Sequence, residues 1–313
     1  MADNNQQVPW TDEQWARVRK VIQEEAARAR VAANFLPLVG PLPASTDYVA
    51  NDTISYGNGE GAKLQIQDRT TIQLATLQVR VFLRGAQMAD PDMDSALQLF
   101  RRAANMLARL EDSVVFTGLA NDSVRPRNAP PVAQVLGGEY TRGLLQANDD
   151  RSRDVEPAPS ESLGNRLVTA VSASIGDLEA AAHFGPFAVV FGHDFFTAVQ
   201  SPDKSSLVLP QDRIIPFLGG GPLLRSSTLP RNTGVVVALG AAPLELVVAT
   251  DVSLNFLQVT ADPQFVFRVY EKLVLRIKEN SAIKVIRVKG DNTPYKPGEV
   301  GEDPKGTATK KTS

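Results

Sequence analysis

DYVANDTISYGNGEGAKLQIQDRTTIQLATLQVRVFLR, residues 47–84, is the stretch on which the architecture turns. β-Branched and aromatic residues alternate with polar ones, as in Thr53-Ile54-Ser55-Tyr56 and Leu64-Gln65-Ile66-Gln67. GNGEGAK (Gly57 to Lys63) separates the two runs. Alternation predicts strands, and the glycine-rich insert predicts a flexible tip. The segment therefore reads as a long two-stranded arm, too polar and too thin to enclose a core. An isolated hairpin of this kind is marginal in water. It makes physical sense if it lies on another subunit.

On the N-terminal side stands a helix with a legible start. Thr11 can cap it and Gln14 completes a capping box, while Trp10 and Trp15 occupy the positions of a hydrophobic staple. Trp15, Val18, Ile22, Ala26 and Ala29 recur at helical spacing, with Arg17, Lys20, Glu24 and Arg28 on the other face. The helix ends before Pro37, and PLVGPLP is a turn-rich connector.

On the C-terminal side a second helix follows ADPDMD, with Asp94 or Ser95 as its cap and Gly118 as its stop. Leu97, Phe100, Ala104, Leu107 and Val114 form one apolar stripe, and Leu99, Ala103, Met106 and Leu110 a second. Two stripes predict a widely buried, central helix. Residues 121–161 read as long loops. Beyond them the pattern predicts a helix at 163–182, a buried strand at 187–191, a short helix at 193–200 and a polar loop at 201–210. Strand-like runs follow at 235–239, 244–251 and 265–277. In the last run Phe265, Phe267, Val269, Leu273, Leu275 and Ile277 face one way, and Arg268, Tyr270, Lys272 and Arg276 the other. Glu271 interrupts the apolar side. Residues 289–313, rich in Pro, Gly, Lys and Thr, read as a disordered tail.

The 313 residues carry a formal net charge of -2, which gives no bulk electrostatic reason to bind nucleic acid or an anionic membrane. Cysteine is absent, so disulfides and thiolate chemistry are excluded. No secretory signal or membrane span is evident, and a cytoplasmic protein is expected. The two histidines, His183 and His193, do not make a metal site by themselves. His193-Asp194 fits a helix start with an acid in its first turn, since adjacent helical residues do not face each other. GNGEGAK lacks the Gly-Lys-Ser/Thr ending of a phosphate loop, and Gly219-Gly220-Gly221 has no following lysine. Glu111-Asp112 reads as paired with basic neighbours or as a subunit contact. No catalytic residue, metal or cofactor is expected.

Several strings, in order, resemble the encapsulins, the linocin-like bacteriocin family. They are WTDEQW at Trp10, VGPL at Val39, LEDSVVFTG at Leu110, RGLL at Arg142, HFGPFAVV at His183, ATDVSLNF at Ala249 and FRVYEKLVLRIK at Phe267. They span most of residues 10–287. The resemblance implies an α+β, phage-capsid-like fold. It implies an N-terminal amphipathic helix on the luminal wall (1–36), a peripheral domain (37–46, 75–120 and 251–288), an extension loop (47–74) and an axial domain (121–250).

It also implies a non-enzymatic shell protomer. Roughly 60 copies or more would close an icosahedral nanocompartment around a cargo enzyme bearing a C-terminal targeting peptide, of iron-storage or peroxidase type. Trp15, Val18 and Ile22 are then candidates for the cargo-binding groove, or else pack the helix onto its own subunit. Lys204, Ser205 and Ser206 are candidates for the narrowest part of a five-fold pore. Residues 121–136 look like an addition to the shortest family members. Some members stack a flavin on a tryptophan where this chain has Ala86, so no flavin is expected. The alternative is a phage or prophage major capsid protein that packages nucleic acid. A hydrolase is a third reading, for which no residue stands out.

Overall fold

The computed structural model describes residues 8–56, 64–119, 130–146, 152–155, 161–202 and 208–288. The expected tail at 289–313 lies outside them. The first helix, α1 (Asp12–Ala29), begins as its sequence dictates. Thr11 Oγ1 accepts from Gln14 N–H at 3.2 Å and Gln14 Oε1 accepts from Thr11 N–H at 3.0 Å. The Trp10 and Trp15 rings meet edge to face, 5.2 Å between centroids. After α2 (Gly85–Met88) comes the long helix α3 (Asp94–Thr117). Its N-cap is Met93, not Asp94 or Ser95: Met93 is left-handed (φ 56°) and fully buried, which places Asp94 inside the first turn. The helix stops at Gly118 (φ 66°), where a Cβ would lie 2.5 Å from both the Thr141 carbonyl and the Gly143 nitrogen.

Two five-stranded sheets follow from the remaining pattern. The first has the order β1 (Leu38–Val39), β12 (Leu244–Val259), β13 (Gln264–Ile277), β6 (Ala75–Arg84), β7 (Ala133–Leu136). Its long strands are antiparallel; Phe267 stands opposite Val81 on one side and Phe256 on the other. The second has the order β10 (Leu223–Arg225), β9 (Phe187–Phe191), β11 (Thr233–Ala238), β14 (Ile283–Val288), β8 (Ser152–Val155). It packs against α4 (Leu163–Ala180) and α5 (His193–Gln200), with α6 (Pro210–Ile214) against α4. All of β9 and β11 is buried, which explains their continuous apolar sequences.

Chain order and sheet membership diverge in three places. Residues 133–136, expected in the axial unit, pair instead with β6, because Ala133 and Val135 point into the core beside α3. The expected boundary between 250 and 251 cuts through β12, a continuous strand. Residues 283–288, expected with the peripheral unit, form β14 of the second sheet. A 3-10 turn at Asn280–Ala282 redirects the chain, and burial of Ile283, Val285 and Ile286 holds it there.

The helices α1 and α3 lie side by side on the inner face of the first sheet. Phe267 is the hub of that contact. Its ring stacks on Trp10 (5.0 Å, 15°) and meets Trp15, Phe100 and Phe256 at 6.0, 5.5 and 5.4 Å. The leading helix is thus buried on its own subunit. The apolar interior is continuous from this cluster to the second sheet. Phe267→Ala should lower the unfolding free energy by about 3–5 kcal/mol. Both tryptophans of the chain touch this ring, so urea unfolding followed by tryptophan fluorescence reads the change directly.

Candidate functional site

The arm has two halves with different surroundings. Near the body, β2 (Tyr48–Ala50) pairs antiparallel with β5 (Thr71–Gln73); further out, β3 (Thr53–Tyr56) pairs with β4 (Leu64–Gln67). The inner half is clamped by the outward residues of β13. Lys272 Nζ lies 2.5 Å from Asp47 Oδ1 and 3.3 Å from the Ala44 carbonyl. Arg276 donates to the Ala50 carbonyl at 3.2 Å, lies 3.6 Å from Asp52 and is held by Glu245 at 2.5 Å. Ile54 N–H donates to the Lys278 carbonyl at 2.9 Å. Beneath the clamp Leu74, Val247, Ala249 and Val274 form a small second core with Val39, Leu42, Val49 and Ile72. Gly40 lets the connector cross β12 here: at φ 131° a Cβ would sit 2.1 Å from the Val248 carbonyl oxygen.

The outer half is tied to the body through Ile54 but presents aliphatic side chains of β4 to solvent. Leu64 is 70% exposed and Ile66 67%, on the same face of their strand, with Ile54 opposite Ile66. Large aliphatic side chains left in water on a two-stranded ribbon mark a contact surface for something else.

A second constellation lies between α1, α3 and the first sheet. Arg30, the C-cap of α1, reaches three carboxylates: its Nε is 2.7 Å from Glu111, and its Nη2 is 2.7 Å from Glu271 and 2.9 Å from Asp251. Next along α3, Asp112 accepts from the N–H groups of Val31 (3.0 Å) and Ala32 (2.8 Å), fixing the chain as it leaves the helix. Glu111, Asp112 and Glu271 are buried, whereas Asp251 is open to solvent. Burial above all pushes the Asp112 carboxyl up to about 7, with the Glu111 charge adding to it. Burial likewise raises Glu271 to about 7, and burial followed by the neighbouring Glu271 charge drives Glu111 well above its usual range. Removing one partner of a buried ion pair costs about 3–5 kcal/mol because the other charge is left buried and uncompensated, so the junction fixes how the end of α1 sits. The sequence offered two signals for it, the acid Glu271 on an apolar strand face and the acidic pair Glu111-Asp112. Arg30, Asp251, Lys272 and Arg276 carried no signal of their role.

Trp15, Val18 and Ile22 point inward and are almost fully buried in the chain's own core, so none of them is open to a partner in this conformation. The outer face of α1 presents Arg17, Arg19, Lys20, Gln23 and Glu24. Lys204, Ser205 and Ser206 lie outside the described residues. Asp194 pairs with Arg231 at 2.7 Å rather than with His193. His183 Nε2 meets both Ser281 Oγ (2.7 Å) and Glu279 (3.9 Å). A nucleophile–base–acid relay needs the two on different ring nitrogens, so this is a hydrogen-bonded histidine of the second sheet's rim. Among the described residues no group of three or more His, Asp or Glu could hold a metal ion, and no helix is long and apolar enough to cross a membrane.

Comparison with known proteins places this geometry. A family profile described as "Encapsulating protein for peroxidase" matches residues 3–125 and 136–274. The chain is 25% identical over 288 residues to the type 1 encapsulin shell protein EncA of Myxococcus xanthus, covering 88% of this chain and 92% of that one. Its fold is similar to the virus-like particle from Pyrococcus furiosus, with TM-score 0.64, 16% identity, and coverage of 88% of this chain and 100% of that one. It is also similar to a protein of Mycobacterium phage Bobi, with TM-score 0.59, 13% identity and coverage of 85% and 90%. The fold is thus the α+β fold of phage capsids. With most of its length matched by that profile, the chain belongs to the linocin family of encapsulating proteins.

Proposed function

We propose that this chain is the shell protomer of an encapsulin nanocompartment, assembling with many copies of itself into a closed cytoplasmic container around a cargo enzyme. The observation that carries this reading is the outer half of the arm. It exposes Leu64 and Ile66 while its root is rigidly clamped, so the hairpin is held out to be covered by a neighbouring copy. Burying two such side chains contributes about 1.5–3 kcal/mol each at every contact, and a closed shell repeats the contact in every subunit. The protomer performs no chemistry of its own; confinement and the field across the pores would supply the function.

The cargo is an enzyme of iron-storage or peroxidase type carrying a C-terminal targeting peptide. In this reading Trp15, Val18 and Ile22 act from behind. They fix α1 in place, and the polar outer face of that helix, with Arg17, Arg19 and Lys20, contacts the peptide. The loop with Lys204, Ser205 and Ser206 borders the five-fold pore.

Replacing both Leu64 and Ile66 by Asp should abolish particles in negative-stain images and light scattering. Far-UV circular dichroism should stay unchanged, because neither side chain belongs to the core. Particles assembling as before would refute the role of the arm. Mass analysis of what co-purifies with unaltered particles should find one enzyme in quantity. Nucleic acid in its place would identify a capsid that packages a genome.

A further inference from the structure

The junction around Arg30 has more acid than base. Three carboxyl groups, Glu111, Asp251 and Glu271, contact one guanidinium, and a fourth, Asp112, follows Glu111 on α3. Asp251 is exposed to solvent. Asp112 spends its oxygens on two backbone N–H groups. Glu111 and Glu271 remain, both fully buried, with Arg30 as the cation they share. Each lies 2.7 Å from a nitrogen of the same guanidinium, which brings the two carboxyl groups side by side. Yet Oε1 of Glu111 and Oε1 of Glu271 receive no hydrogen bond among the described residues. Two acceptor-only groups cannot bond to each other, and an ionised carboxylate with an unmet oxygen is costly in an apolar interior. A single proton between them removes both difficulties.

We propose that Glu111 and Glu271 hold one proton in common, and that this proton completes the fastening of α1 to the spine helix and the first sheet, making the junction a latch that loosens as pH rises. Among the described residues, three charged groups stand against the pair. These are Arg30 from the end of α1, Asp112 from α3 and Asp251 from β12, while β6 contributes only the apolar Leu77 opposite Glu271. No histidine or lysine faces the pair among these partners. Raised carboxyl values, with Glu271 at about 7, agree with the geometry.

The direction follows from counting protons. At the pair, the closed junction binds one proton more than an open one, whose carboxyls titrate at their ordinary values, and Asp112, raised to about 7 by burial, acts in the same direction. Rising pH therefore favours opening, by about tenfold per unit for a single proton, from the ordinary carboxyl range up to the held value, and is without further effect above it. Below that range the latch is fully closed. What opens is local: the end of α1 and the turn at Ala32–Asn34, whose backbone is tied to the same helix.

Hydrogen exchange of the purified, full-length protein tests this between pH 5 and pH 9, with rates corrected for the intrinsic pH dependence of exchange. Amides in the last two turns of α1 should lose protection as pH rises through the window. Amides of β9 and β11, remote from the junction, should not. Glu111→Gln and Glu271→Gln each replace a carboxyl by a neutral group that still donates. Either should remove the part of the α1 slope that the shared proton supplies, leaving only what Asp112 adds. If one of the two variants fails to fold, the other decides. A flat profile in the unaltered protein would overturn the proposal, as would the original slope surviving in a folded Gln variant. So would a slope removed only by Asp112→Asn, which would assign the proton to Asp112.

Discussion

The strict alternation of β13 is the constraint from which the rest of the molecule is hung. A strand sends successive side chains to opposite faces, and here each face has its own task. Phe267 and Glu271 point inward, where one gathers Trp10 and Trp15 at the start of α1 and the other receives the arginine that caps its end. Lys272, Val274 and Arg276 point outward, where they seat the root of the arm. A slip of one residue in the pairing with β6 or β12 would exchange these sets and undo both attachments at once. Register along this strand therefore couples the position of the leading helix to the position of the arm, although the two never need to touch.

The attachments differ in physical kind. Inside, aromatic burial supplies most of the adhesion of α1, and the Arg30 junction supplies its angle and register. Charged groups with fixed geometry specify an arrangement better than they stabilise it. Outside, the clamp is polar and partly solvated, so each ion pair contributes little alone. Its strength comes from the small apolar patch beneath it and from several bonds acting on one short segment.

Much of this was legible in the sequence. The capping box, the tryptophan staple, the glycine stop of α3, the faces of β13 and the boundaries of β9 and α5 follow from local rules, because each depends on residues a few positions apart. What was not legible depends on distance. An amphipathic helix announces that one face is buried but not against what, so Trp15, Val18 and Ile22 were equally compatible with an inner groove and with their own core. Arg30 and Glu271 are 241 positions apart, and no spacing rule connects them. The placement of β7 and β14 likewise turned on pairing across long sequence intervals, where periodicity says only that a strand exists.

The continuity of the apolar interior across both sheets has a consequence for geometry on a larger scale. Two layers joined by one close-packed core resist bending between them, because any hinge would have to open a cavity along its whole length. The body then behaves as a stiff tile. Curvature in a surface built from such tiles must be set at their edges, by the angle at which one meets the next. An appendage anchored at its base, such as the paired strands 53–56 and 64–67 with Leu64 and Ile66 in solvent, is the part able to follow that angle without disturbing the tile itself.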